Sequence, residues 1–188
     1  MAEPMPTELV ERAQAGDEDA FTQLAALSAD RAYAVAYRIL RDPGRAEDAT
    51  QQALLTTWQR LPTLREPARF EGWLYRILLN ACRDELRRRR SWDSKVRLAE
   101  PGREWEADTA VAVSDRDQLE RAFARLSVEH RAVVVLRHYV GWTTAEIAAA
   151  LAVPEGTVSS RLHYGVAALR SAIEEDARGA ERAREAGA

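Results

Sequence analysis

Apolar residues recur at intervals of three and four along nearly the whole chain, and almost nowhere at the interval of two that a half-buried strand requires. The pattern predicts a succession of helices with short polar punctuation. A first helix starts near Thr7 and stops at Gly16. Asp17 caps a long second helix with Phe21, Leu24, Leu27, Val35 and Ile39 inside, ended by Asp42-Pro43-Gly44. A third runs from about Arg45 to Leu61, with Ala46, Ala49, Ala53, Leu54 and Trp58 on its apolar face. Pro62 and Pro67 bracket a short loop. A fourth helix spans about Phe70 to Arg90 and buries Phe70, Trp73, Leu74, Ile77, Leu78 and Ala81. Periodicity lapses from Ser91 to Ser114, around Pro101-Gly102. Helices near 115–125, 128–140, 144–151 and 155–174 follow, with Ser127 and Thr143 as caps and Gly141 as a stop. The closing ARGAERAREAGA is polar, holds two glycines and is expected to fray.

The expected class is therefore all-α: two small helical domains, 7–90 and 115–175, joined by a flexible linker, 91–114, with a polar tail at 176–188. A length of 188 residues accommodates that division. Abundant Ala, Leu, Arg and Glu with sparse Gly and Pro agree with it. The single cysteine, Cys82, excludes an intrachain disulfide and falls among apolar neighbours, which points to packing. The longest apolar runs, 132–136 and 147–153, are far short of a membrane span, so no membrane insertion is expected. The acidic, proline-bearing MAEPMPTE is unlike a signal peptide, and a cytoplasmic protein is expected.

Net charge is −3, but it is partitioned. Residues 76–90 carry a net +4 and residues 91–117 a net −3. In the fourth helix, Arg76, Asn80, Arg83, Arg87 and Arg90 stand at spacings of 4, 3, 4 and 3. At about 100° per residue they share one narrow stripe. Four arginines flanking an asparagine suit a phosphate track with one base contact. A solvated arginine face near a helix C-terminus, favoured by the helix dipole, has the same pattern. The third helix presents Glu47, Asp48, Gln51, Gln52 and Leu55 opposite its apolar face. Acids in a first turn are ordinary dipole partners, whereas a leucine among exposed glutamines points to a protein-binding surface.

Residues 143–170, TTAEIAAALAVPEGTVSSRLHYGVAALR, read as two helices joined by a tight turn. Thr143 and Glu146 form a capping box, and Pro154 suits a helix start. Val158, Leu162, Leu169 and Ile173 form an inward stripe, leaving Thr157, Ser159, Ser160, Arg161, His163 and Tyr164 outward or at the boundary. Short polar groups near the start of a second helix are what a major-groove reader requires. An ordinary helical hairpin with a solvated face fits as well. Glycine-rich phosphate loops, HExxH and Cys/His ligand spacings are missing from the sequence, so neither an enzyme nor a metal or other cofactor is expected.

Taken in order, three segments resemble the extracytoplasmic-function sigma factors, two-domain specificity subunits of bacterial RNA polymerase. RAEDATQQALLTTWQRL (45–61) is similar to the family's core-binding helix, FEGWLYRILLNACRDELRRRR (70–90) to its promoter-melting helix, and residues 126–170 to its upstream-element reader. The resemblance covers about residues 8–175. It implies that Asp48, Gln51, Gln52 and Leu55 contact the clamp helices of the largest polymerase subunit. It further implies that Asn80, with loop 61–69 including Arg65, holds a flipped-out base of the minus-ten element, while Arg76, Arg83 and Arg87 steady the nearby backbone. Thr157, Ser159, Ser160, Arg161, His163 and Tyr164 would read the minus-35 element. The implied partners are core RNA polymerase (clamp helices and flap), promoter DNA and an anti-sigma factor. The acidic linker would thread the electropositive RNA channel.

The chain departs from the family pattern in places. Arg45 stands where an acid is common and Gln52 where glutamate is common. Ala152 replaces the frequent turn glycine, which costs on the order of 1 kcal/mol if the position is left-handed. Ser159, Tyr164 and Val166 stand where Lys or Arg is frequent. That loss of cations motivates one competing reading, a sigma-like mimic that sequesters an anti-sigma factor without binding DNA. A conventional dimeric helix-turn-helix regulator is another, but it leaves the arginine helix and the linker unexplained.

Overall fold

The computed structural model describes residues 6–97 and 115–186, which divide into two units after Val96. All the regular structure among the described residues is helical. The acids Glu100, Glu104, Glu106 and Asp108 and the Pro101-Gly102 break of the expected linker lie outside the described residues.

The first unit contains α1 (Thr7–Gln14), α2 (Glu18–Leu40), α3 (Pro43–Arg60) and α4 (Phe70–Arg97). The Asp17 carboxylate accepts the Ala20 N–H at 2.9 Å and starts α2. Its pKa is held below the ordinary value, first by that bond and then by Arg12, 2.6 Å away. Arg41 ends α2 in the left-handed region, and Asp42 caps α3 by accepting the Arg45 N–H at 3.0 Å. With Pro43 in its first turn, α3 begins two residues before the expected start.

α2 and α3 meet through small side chains, and this corrects two assignments. Leu27 is 62% exposed, because the inward line of α2 runs Ala20, Leu24, Ser28, Ala32, Val35 and Ile39. On α3 the inward line is Ala46, Ala49, Thr50, Ala53 and Thr57, so Trp58 stands on the flank, 36% exposed. Its ring lies 4.7 Å from that of Phe21, itself only half-buried. Alanines and short hydroxyl residues let the two backbones approach closely. Thr50 satisfies its buried hydroxyl by donating to the Ala46 carbonyl at 2.6 Å.

α4 buries a wider face than periodicity predicts. Tyr75, Leu79 and Cys82 join Phe70, Leu74, Leu78 and Ala81, while Trp73 and Ile77 are half-buried. An Arg31–Glu71 ion pair of 2.6 Å ties α2 to α4. The helix continues to Arg97, so the first seven residues of the expected linker are helical.

The second unit packs α5 (Asp115–Arg125), α6 (Val128–Val135) and α7 (Thr144–Leu151) on α8 (Glu155–Ala186). Ser127 caps α6, whose last turn widens over Leu136–Val140 and stops at Gly141, φ 90°. The Thr143–Glu146 capping box is complete. Ala152 closes α7 at φ 53°, ψ 47°, the left-handed conformation that penalises a Cβ. Arg125 and Arg121 pair with Asp176 at 2.9 and 3.1 Å and pin α5 to α8. The expected fraying tail is instead the end of α8, which runs to Ala186 on strong helix formers.

Candidate functional site

The exposed face of α3 carries Asp48, Gln51, Gln52 and Leu55 together, with Leu55 51% exposed. All four line one depression of about 470 Å³, closed on its other side by Glu85 and Arg88 of α4. Periodicity gives no warning of those last two, since Glu85 falls on the buried stripe of its helix. It is 7% exposed and pairs with Arg88 at 3.0 Å. A carboxylate kept that dry is normally paired. Burial and then the Glu85 charge push the neighbouring Cys82 thiol up to about 12, so Cys82 is a packing residue that stays protonated. Gln51 donates to Glu47 at 3.3 Å and Gln52 to Thr56 at 3.2 Å, which orients both amides along the helix surface. Arg45, where an acid was the common residue, pairs with its own cap Asp42 at 3.3 Å. Leu55 also borders an apolar groove lined by Phe21, Leu54 and Trp58.

On α4 the stripe is real. Arg76, Asn80 and Arg87 are exposed and Arg83 is half-buried. Arg83 Nη1 lies 3.5 Å from Asn80 Oδ1, at the outer limit of a hydrogen bond, and Arg87 pairs with Asp84. The Asn80 side chain is exposed, with the Arg83 guanidinium nearest its oxygen. Nothing is described of the Arg90 side chain. Between α3 and α4, two short 3₁₀ turns, Leu61–Thr63 and Pro67–Arg69, flank an exposed Arg65. Leu61 and Leu64 root this loop in the core.

In the second unit, Ser159, Ser160, His163 and Tyr164 are exposed on α8, and Thr157 and Arg161 are half-buried. Ser160 donates to the Thr157 carbonyl at 3.0 Å. Tyr164, 63% exposed, meets His163 edge-on with ring centroids 5.5 Å apart. The inward line of α8 is Val158, Gly165 and Ala172, with Leu162, Leu169 and Ile173 only half-buried. A Cβ at Gly165 would lie 3.0 Å from Val134 Cγ2 and 3.4 Å from His130 Cβ, so α6 and α8 cross here at backbone distance. In the first turns of α8, Val158 is fully buried while Ser159 and Ser160 are exposed.

The described residues thus pair an arginine-striped helical unit with a helix-turn-helix unit. Residues 24–91 match the Sigma-70 region 2 family and residues 122–171 match Sigma-70, region 4. The ECF RNA polymerase sigma factor SigL of Mycobacterium tuberculosis is 39% identical over 143 residues, covering 74% of this chain and 81% of that protein. Among solved structures, CnrH in complex with the cytosolic domain of CnrY aligns with a TM-score of 0.63 at 26% identity, over 90% of this chain and 97% of that one. The sigma factor RpoE in complex with the anti-sigma factor NepR, from Bartonella quintana, shares the fold, with a TM-score of 0.66 at 21% identity over 82% and 96%. The chain belongs to the extracytoplasmic-function sigma factors, which bind core RNA polymerase and direct promoter recognition, melting and initiation. Among the described residues no helix is long and apolar enough to cross a membrane.

Proposed function

We propose a division of that work among named residues. Asp48, Gln51, Gln52 and Leu55, extended by Glu85 and Arg88, form the face that docks on the clamp helices of the largest polymerase subunit. The observation that carries this is the shared depression: an exposed leucine ringed by amides and by charges of both signs. A buried apolar anchor inside a polar rim is the usual energetic layout of a protein interface. Asn80 and the loop around Arg65 receive the base extruded from the minus-ten element. A side-chain amide offers a donor and an acceptor to a base edge that has lost its Watson–Crick partner. Arg76, Arg83 and Arg87 hold the adjoining phosphates. Thr157, Ser159, Ser160, Arg161, His163 and Tyr164 read the minus-35 element from α8, with the polymerase flap holding that unit in place. The activity belongs to the cytoplasm, under an anti-sigma partner of the kind that the RpoE–NepR complex exemplifies.

Reversing charge with Asp48→Arg while truncating Leu55→Ala weakens association with core polymerase at least about tenfold, with helix content by circular dichroism unchanged. Wild-type affinity in the double variant contradicts the docking face.

A further inference from the structure

Gln14 is the last residue of α1, remote in sequence from every segment assigned to polymerase or DNA. Its side chain reaches back into the loop between α3 and α4. The Nε2 group donates to the Leu64 carbonyl at 2.7 Å and to the Leu61 carbonyl at 3.1 Å. One amide thus spends both of its protons on two backbone acceptors three residues apart. The leucine side chains below these carbonyls are almost fully buried, at 1% and 8% exposure, among Val10, Ala13, Leu24, Phe70 and Leu74. The residues between and beyond them, Pro62, Thr63, Arg65 and Glu66, are exposed.

The two kinds of anchor do different things. Apolar burial is non-directional, so it holds Leu61 and Leu64 down while permitting the backbone above them to rock. Hydrogen bonds to carbonyls depend steeply on distance and angle, so the Gln14 amide sets the spacing and tilt of the peptide planes. Within the loop, the Leu64 N–H donates to the Leu61 carbonyl at 3.1 Å, the Thr63 hydroxyl to the Arg60 carbonyl at 2.7 Å and the Arg69 N–H to the Glu66 carbonyl at 2.9 Å, but of these only the first reaches either carbonyl that Gln14 holds. Arg65 leaves the loop directly after the clipped Leu64 carbonyl.

We propose that Gln14 is a positioning residue for promoter opening: it touches no DNA and fixes the loop that, with Asn80, receives the extruded base. This rests on the assignment of loop 61–69 and Asn80 made above. A base pocket that must be ordered at the moment of capture forfeits part of its binding energy, whereas a pre-set one keeps it. That energy matters most on duplex DNA, where capture must offset the cost of unpairing and unstacking.

The test uses holoenzyme assembled from the full chain and core polymerase. The template is a promoter selected by the wild-type holoenzyme from a library randomised over the minus-ten bases. It is supplied either as duplex or with those bases pre-melted. Gln14→Met keeps length and removes both donors; Gln14→Asn keeps the amide but is one methylene short, and serves if methionine prevents folding. Either variant slows open-complex formation on duplex about tenfold more than on the bubble, the scale of one to two hydrogen bonds. Gln14→Lys, which again presents donors to both carbonyls, recovers part of the loss. Ile39→Ala, a core truncation elsewhere in the unit, is the control for lowered stability and gives no difference between templates. Equal losses on the two templates, or a difference no larger than that of Ile39→Ala, overturn the inference and leave Gln14 a structural staple. Asn80→Ala in the same assay separates the two ideas. If it retains a duplex-selective loss where Gln14→Met has none, the base-holding site stands without Gln14. If neither variant shows the difference, the site assignment fails and the inference with it.

Discussion

At Ala152 the backbone adopts a conformation that an L-residue resists, and the fold tolerates it because the turn must reverse the chain between α7 and α8. The Ala152 and Val153 N–H groups both return to the Ala148 carbonyl, which completes the cap whatever the side chain. Ala152→Gly removes the Cβ penalty and keeps both bonds, so it raises stability by about 1 kcal/mol, read as a higher thermal midpoint of the full chain. Nine residues on, Arg161 has the opposite character: half-buried, cationic and beside the short Thr157 and Ser160. If it pairs with a guanine edge, Arg161→Ala costs about 1–3 kcal/mol and relaxes specificity at one promoter position. If it grips a phosphate, binding falls alike on all sequences and the slope of log affinity against log salt flattens by about one. Affinity measured across salt and single-base promoter variants separates the two. Unchanged affinity and specificity contradict a role for Arg161 in DNA binding.

Helix starts in both units are sensitive to acid. The Thr143 N–H, and after it the Thr143 hydroxyl, hold the Glu146 carboxyl below its ordinary value. A lowered folded pKa contributes stability that is fully present above the unfolded value, about 4.3, and is lost as pH falls through the folded one. Asp17 behaves likewise at the start of α2. Glu146→Gln therefore lowers the thermal midpoint at neutral pH, and its difference from wild type shrinks steadily toward about pH 3. A difference independent of pH would show that the carboxylate charge contributes nothing to the cap. This capping box, like the start and stop of most helices, was legible in the sequence because caps and apolar spacing are local signals. Leu27 and Trp58 depart from the same local signal, standing outside although apolar spacing sends them inward. A rule that sends large apolar residues inward fails where two helices meet through Ser28, Ala32, Ala49 and Thr57. The two faces proposed as sites, Asp48 to Leu55 and Arg76 to Arg87, were legible as exposed stripes because each lies on one helix. Glu85, Arg88 and Gln14 carry no such local signal, because the depression and the loop contacts they make join separate elements. The extension of α8 to Ala186 was missed because Gly179 and a run of charge resemble a tail, although Ala, Arg and Glu favour the helix.

At the scale of the whole molecule, the α8 surface is notable for what it lacks. Arg161 is flanked by the uncharged Ser159, Ser160 and Tyr164 and by His163, so phosphate attraction is weak for a DNA reader. Such a unit relies on being tethered: a second contact made within one polymerase complex gains from a high effective concentration. The roles proposed for the arginine stripe of α4 and the exposed face of α3 belong to the same scheme, in which specificity would come from the assembly rather than from either unit alone. The decisive measurement is run-off transcription with purified core polymerase on a promoter library, with and without this chain. The account predicts discrete transcripts from a defined set of promoters only when the chain is present, and their loss with Asn80→Ala on duplex templates. A chain that binds core polymerase yet yields no promoter-specific transcript, or that binds promoter DNA tightly and specifically without polymerase at physiological salt, would contradict it.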